Sequence, residues 1–107
     1  MSEWLRDILL TVDGVYEAPS RYKDDLAYWV ERTEIAHLES DSTLDLRLTR
    51  AVVRDQRARL RADPRVRLRP SSADWLTVET SGPADAEFIR ELVELAAAAH
   101  RPSGPGG

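Results

Sequence analysis

The chain contains no cysteine and only two histidines among its 107 residues. Without cysteine it can form no disulfide framework, no thiol nucleophile and no thiolate metal site. Two histidines are also too few for a histidine-rich metal centre, and carboxylates alone would have to complete any site. The sequence therefore predicts neither a bound metal nor another cofactor.

Long apolar segments and phosphate-binding motifs are absent as well. No run approaches the roughly 20 apolar residues of a transmembrane helix, and the N-terminal segment MSEWLRDILLTV is too acidic for a secretory signal. We therefore expect a cytoplasmic protein with no membrane span. Glycine-rich loops and nucleophile elbows are missing, so no motif identifies an enzyme.

What the sequence does contain is the composition of one globular domain, with 42% hydrophobic and 32% charged residues. We expect residues 1–100 to form this single domain. The C-terminal tail 101–107, RPSGPGG, carries no burial signal and is expected to be disordered.

Charge is distributed unevenly along the chain. Residues 47–69 contain nine arginines and two aspartates, a net charge of +7, whereas the rest contains six basic and seventeen acidic residues, a net charge of −11. The Arg-rich segment 47–69 could bind nucleic acid, which is one alternative function. Acidic and basic surfaces of one small domain more often neutralise each other, so we do not expect a nucleic-acid partner.

The spacing of apolar residues and turn residues predicts the order α-β-β-β-α-β-β-α. This order is typical of an α+β domain with an antiparallel sheet of about five strands and helices packed on it. The predicted helices cover 2–12, 49–62 and the segment after Pro83, and the predicted strands cover 26–31, 34–39, 43–48, 65–69 and 74–80.

His37 lies in the second predicted strand, and its role depends on strand register. A two-residue turn at Asp41-Ser42 would pair His37 with Leu46 and place it on the more apolar face, as a core histidine. That face would also contain Tyr28, Val30, Ile35, Leu44 and Leu48. The opposite, amphipathic face would carry Trp29, Asp45 and Arg47, and a shift of one residue would exchange the two faces.

Two classes of function remain open at this point. The leading hypothesis is a non-catalytic interaction or small-ligand-binding domain, with an unidentified small ligand or protein partner contacting Trp29, Arg47 and Trp75. The alternative is a small enzyme in which His37 is the general base, Glu39 or Asp45 is its carboxylate partner, and Arg47 anchors an anion.

Several segments also resemble a known family. EIAHLES, LDLRLTRAVVRDQRARLRADPRV and DWLTVE are similar to segments of small actinobacterial proteins that carry the luciferase domain, and the resemblance covers roughly residues 28–100. It depends on Glu34 and His37, Asp45 and Arg47, Asp63-Pro64, and Trp75 taken together.

The resemblance implies a family but no activity. Members often have a second histidine two positions after the first, where this chain has Glu39, so the resemblance does not extend to paired-histidine chemistry. The chain has no flavin or oxygen-chemistry motif, so light emission is not implied. The order of elements also resembles the double-wing fold of YjbR-like proteins, which agrees with an α+β domain but does not determine function.

Overall fold

The computed structural model describes residues 3–21, 24–69 and 72–101. Within these residues the chain forms four helices and six strands, so the predicted α+β class is confirmed and one further strand is added. The helices are α1 Glu3–Thr11, α2 Arg50–Asp55, α3 Arg57–Ala62 and α4 Ala86–His100, and a 3₁₀ turn, Pro83–Asp85, precedes α4. The strands are β1 Val15–Pro19, β2 Leu26–Val30, β3 Thr33–Leu38, β4 Thr43–Arg47, β5 Val66–Arg69 and β6 Ser72–Glu79.

The strands form one open sheet in the order β1-β2-β3-β4-β6-β5, and every neighbouring pair is antiparallel. The segment with α2 and α3 connects β4 to β5 at the edge, and the chain then returns through β6 to pair with β4. The sequence did not predict β1. This strand ends in Pro19 and lies at the other edge, where a residue without a backbone N–H is tolerated.

The hydrophobic core lies between the four helices and one face of the sheet. Helix α1 packs against α4 and β1, and α4 crosses the central strands β3 and β4. Fully buried residues of this core include Leu5, Leu9, Tyr28, Ile35, Leu44, Leu46, Leu60, Leu76, Ile89 and Leu92. The buried apolar residues of all four helices belong to this one cluster, so within the described chain no helix covers the other face. We call this other face the open face.

The predicted helix over residues 49–62 begins and ends as expected but is not continuous. Thr49 caps its start by accepting a hydrogen bond from the Val52 N–H, and it ends at Asp63, before Pro64. The prediction of one helix was wrong, because Gln56 has φ −99° and ψ 7° and separates α2 from α3. Gln56 is neither glycine nor proline, so the sequence carried no signal for this break.

The features predicted near the two ends of the chain are only partly covered by the described residues. Helix α1 ends at Thr11, and Gly14 follows with φ +88°, a backbone conformation that glycine adopts without strain. Ser2, the predicted cap of α1, lies outside the described residues. So do residues 102–107, and the disorder predicted for them stays a prediction, while Arg101 donates a hydrogen bond to the Asp13 carbonyl. None of the described helices has the length and apolar character needed to cross a membrane.

Candidate functional site

The loop between β3 and β4 decides which face carries His37. Leu38 pairs with Leu44, and the Glu39 N–H bonds the Thr43 carbonyl at 2.8 Å, so three residues, 40–42, form the loop. The prediction of a two-residue turn was wrong by one residue. Because side chains alternate along a strand, His37 pairs with Asp45 instead of Leu46 and lies on the open face.

A register shift in β3 brings a second carboxylate to the same face. Trp29 pairs with Glu34 and Tyr28 pairs with Ala36, so Ile35 is an extra residue on β3. Such a bulge shifts the alternation by one, and Glu34 and His37 point the same way although they are three residues apart. The β2–β3 connection was predicted at Arg32-Thr33. It lies one residue earlier, at residues 31–32, because Val30 pairs with Thr33.

The imidazole of His37 is surrounded by carboxylates. Its Nδ1 lies 3.1 Å from Oε2 of Glu34, and its Nε2 lies 2.9 Å from both Oδ2 of Asp45 and Oε1 of Glu39. His37 is 7% exposed, Glu34 3% and Asp45 2%, whereas the Glu39 side chain is 41% exposed. His37 is therefore buried as predicted, but among charged partners instead of apolar ones.

The other carboxylate oxygen of Asp45, Oδ1, contacts one side chain from β5 and one from β6. Thr77 Oγ1 donates to Oδ1 at 2.8 Å, and Nη2 of Arg69 approaches the same atom at 2.6 Å. Burial would raise the pKa of Asp45, but interactions with Glu39, Thr77 and Arg69 outweigh burial and hold that pKa below its ordinary value. Asp45 thus remains an anion inside the protein.

Glu34 is held by the segment that connects β1 to β2. Ser20 Oγ lies 3.0 and 2.9 Å from its two carboxylate oxygens, and the Arg21 backbone N–H donates to Oε1 at 2.7 Å. These contacts fix the Glu34 carboxylate, whose Oε2 also faces Nδ1 of His37. Ser20 and Arg21 therefore border the site.

Around His37 the acceptor atoms outnumber the donors. An imidazole offers at most two N–H groups, yet three carboxylate oxygens lie within hydrogen-bond distance of its nitrogens. Both hydrogen-bonding edges of the ring are therefore occupied by carboxylates. We call Glu34, His37, Glu39 and Asp45 the carboxylate–histidine cluster.

Aromatic and basic side chains border this cluster. The Trp75 ring lies 5.2 Å from the His37 ring, centre to centre, and Trp75 pairs with Arg47 across β6 and β4. Trp29 lies on β2, beside Glu34. Nε1 of Trp29 and Nε of Arg47 are buried and have no hydrogen-bond partner in the described chain.

The structure brings all six predicted site residues to one face. His37, Glu39 and Asp45 are in mutual contact, and Trp29, Arg47 and Trp75 lie around them. Sequence reasoning missed Glu34, Thr77 and Arg69 as site residues. The only signal for Glu34 was the family resemblance, because a regular strand would turn it away from His37, and Thr77 and Arg69 became neighbours of Asp45 only through the strand order.

The Arg-rich segment 47–69 does not form a continuous basic surface. Six of its nine arginines lie next to acidic side chains: Arg47 with Asp74, Arg54 with Asp55, Arg59 with Glu91, Arg65 with Asp63 and Asp85, Arg67 with Glu79, and Arg69 with Asp45. This pairing supports mutual neutralisation. The absence of a nucleic-acid partner stays a prediction.

Two surface cavities lined by described residues lie away from the cluster. One is formed by α1 and α4, with Thr11, Arg90 and Arg101 in its wall, and the other lies between Trp4 and the segment 80–82. The first is lined by exposed ionisable side chains such as Arg90 and Glu94, but neither is lined by a histidine or by a buried group of carboxylates like that around His37. We therefore take the open face as the candidate site.

The fold and the site together define an α+β protein with a largely buried carboxylate–histidine cluster on a sheet face that the described helices leave uncovered. The chain belongs to the luciferase domain family, whose sequence model matches residues 32–96, more than half of the chain. This match confirms the resemblance seen in the sequence. It contains Glu34, His37, Asp45 and Trp75, whereas Trp29 lies outside it. No curated protein and no solved structure matches the chain.

Proposed function

We propose that the protein binds a small organic acid on the open face of its sheet and does not act on it chemically. The observation that carries this proposal is the burial of Glu34, His37 and Asp45 on a face that no described helix covers. Removing charges from water costs several kcal/mol per ion before partners compensate it. A sheet surface needs no such cluster to fold, whereas a binding site gains a rigid polar floor from it.

The unpartnered groups on this face indicate the chemistry of the ligand. Nε1 of Trp29 and Nε of Arg47 are both N–H donors, so the partner that each lacks is an acceptor. A carboxylate is the acceptor that pairs best with a guanidinium. The rings of Trp29 and Trp75 offer apolar surface to the rest of a small planar acid.

Binding requires side chains over the site to move, because both donor atoms are shielded from solvent. Arg21 is the neighbour best placed to do so, since its guanidinium lies 5.7 Å from the centre of the Trp29 ring. In the proposal this guanidinium covers Trp29 in the free protein and pairs with the carboxylate of the bound acid.

The enzyme alternative has less support. A general base needs a nitrogen lone pair directed at a substrate, and both nitrogens of His37 already face carboxylate oxygens. In the proposal Arg47 contacts the carboxylate of the bound acid and takes no part in catalysis.

A titration observed by nitrogen-resolved NMR tests the proposal. Benzoate, acetate and inorganic phosphate would each be added to metal-free protein while the indole N–H of Trp29 and the Nε–H of Arg47 are followed. We expect benzoate to shift both signals along one saturating curve, with no change at Trp4 on α1. The Arg47→Gln variant should lose this response.

The matched control is Arg54→Gln, because Arg54 is an exposed arginine paired only with Asp55 in the described chain. This variant should respond like the unaltered protein. The proposal fails if none of the three anions gives a saturating shift at Trp29, or if Arg47→Gln retains the response.

A further inference from the structure

We infer that His37, Glu39 and Asp45 form a binding site for one divalent transition-metal ion. Each of the three offers one ligand atom, and these atoms all lie within 4.8 Å of one another. The inference goes beyond the proposed function, because it concerns an ion held by the protein alone and requires no organic acid.

The spacing of the three atoms fits a single coordination sphere. Nε2 of His37 lies 2.9 Å from Oε1 of Glu39 and 2.9 Å from Oδ2 of Asp45. Two donors that bind one ion at about 2.1 Å and at right angles are about 3.0 Å apart. Two of the three separations therefore already match those of ligands at right angles around one ion, and all three ligand atoms lie within 4.8 Å of one another.

Hydrogen bonding alone satisfies this arrangement poorly. Nε2 can offer only one proton, yet two carboxylate oxygens lie at the same distance from it. A divalent ion at this point would bond to all three side chains, so the two carboxylates would no longer compete for one proton of His37. Its positive charge would also remove the repulsion between the carboxylates.

The atoms behind the ligands are held as they are in known metal sites. A histidine that binds a metal through one nitrogen almost always donates its other N–H to a carboxylate, a carbonyl or water. Here Nδ1 of His37 meets Glu34, which Ser20 and the Arg21 backbone hold in turn. These contacts orient the imidazole and leave Nε2 to face Glu39 and Asp45.

Asp45 is oriented in the same way. Its Oδ1 accepts from Thr77 and contacts Arg69, and its Oδ2 faces His37. Oδ1 thus holds the side chain in position, and Oδ2 would bind the inferred ion.

The charges of the site are consistent with a dication. Glu34, Glu39 and Asp45 together carry three negative charges, and Arg69 contributes one positive charge. With a neutral His37, a divalent ion brings this set to zero, which lowers the cost of its burial. The set of one imidazole and two carboxylates suits zinc, manganese and ferrous ions better than calcium or magnesium.

Glu39 gives the ion a route from solvent. Its side chain is 41% exposed, whereas His37 and Asp45 lie beneath it. Three protein ligands leave further coordination positions, and those on the side of Glu39 would be open to water.

Calorimetric titration of the metal-free protein with zinc, and separately with manganese, tests the inference without any organic ligand. We expect one ion per chain at neutral pH. The Glu39→Gln variant should bind at least about tenfold more weakly, because an amide is a poorer metal ligand than a carboxylate. Glu39 is partly exposed, so this variant should fold, and its melting temperature without metal verifies that.

Two controls match the variant. His100→Gln removes the other histidine, whose Nδ1 contacts the Ala96 carbonyl, and Glu79→Gln removes an exposed carboxylate of β6. Both should bind zinc as tightly as the unaltered protein. The inference is overturned if neither metal binds at one ion per chain, or if Glu39→Gln binds as tightly as the controls. Because the benzoate titration uses metal-free protein, either proposal can fail while the other stands.

Discussion

Replacing Asp45 by asparagine removes one charge from the carboxylate–histidine cluster while keeping the shape of the side chain. The amide oxygen of the asparagine can still accept hydrogen bonds from Thr77 and Arg69. The amide NH₂ group, which is neutral, would face Nε2 of His37 and the Glu39 carboxylate in place of the charged oxygen. Asp45 is 2% exposed, so water cannot replace what is lost. The variant therefore leaves the Arg69 guanidinium without its buried anion and His37 with a neutral partner at Nε2.

The expected cost follows from the depth of the site. Removing one partner of a buried ion pair costs about 3–5 kcal/mol, and asparagine retains part of the hydrogen bonding, so we expect a loss of about 3 kcal/mol. A domain of this size is stable by about 5–15 kcal/mol, which makes such a loss a large fraction of the total. The control Glu79→Gln disrupts an exposed pair with Arg67 and should cost less than about 1 kcal/mol.

Guanidinium unfolding of metal-free protein, followed by tryptophan fluorescence, measures these losses. The double variant Asp45→Asn/His37→Gln should be more stable than the sum of the two single losses predicts, by about 1–3 kcal/mol, because the two side chains interact directly. If Asp45→Asn unfolds at the same midpoint as Glu79→Gln, the cluster is not the buried, interdependent unit described here.

Two further predictions concern other parts of the fold. A hydrogen bond from the Ser81 backbone, with others from Arg65 and Thr80, outweighs burial and lowers the pKa of Asp85 to about 2. Since this value lies below the unfolded value of about 3.9, Asp85 stabilises the protein above about pH 4 and this contribution disappears as pH falls toward 2. The Asp85→Asn variant should therefore lose less free energy of unfolding over that pH range than the unaltered protein, as measured by acid-unfolding curves. Equal losses in the two proteins would show that Asp85 does not contribute to the acid sensitivity. Thr49→Ala should lower the free energy of unfolding in urea by about 1 kcal/mol, because the Val52 N–H loses its cap; no measurable loss would show that water caps α2 equally well.

The sequence predicted the fold class because apolar periodicity is a local signal. Leu44, Leu46 and Leu48 alternate with Asp45 and Arg47, which identified a strand with one apolar and one polar face. The same signal placed Asp45 and Arg47 correctly on the polar face. It could not predict β1, whose short segment contains proline and pairs only at the sheet edge.

The site depended on register, which local patterns determine only weakly. One additional residue in the β3–β4 loop moved His37 from the core face to the open face. One extra residue in β3, Ile35, turned Glu34 toward His37. Neither shift has a glycine or proline to mark it, so the residue types of the cluster could be identified from the sequence but their contacts could not.

Arg69 and Thr77 illustrate a second limit. Both lie in the predicted hairpin 65–80, and nothing in that segment indicates that β6 lies beside β4. Only the strand order of the complete sheet brings them to Asp45, 24 and 32 residues away along the chain.

The crystal structure of the metal-free protein grown with benzoate would test the central claim most directly, because it locates the ligand on one face of the sheet or the other. Our account predicts density on the open face, with the carboxylate oxygens within hydrogen-bond distance of Nε1 of Trp29 or Nε of Arg47 and with Arg21 moved away from the Trp29 ring. Benzoate bound only in the cavity between α1 and α4, or an open face without benzoate and with Arg21 still over Trp29, would contradict it.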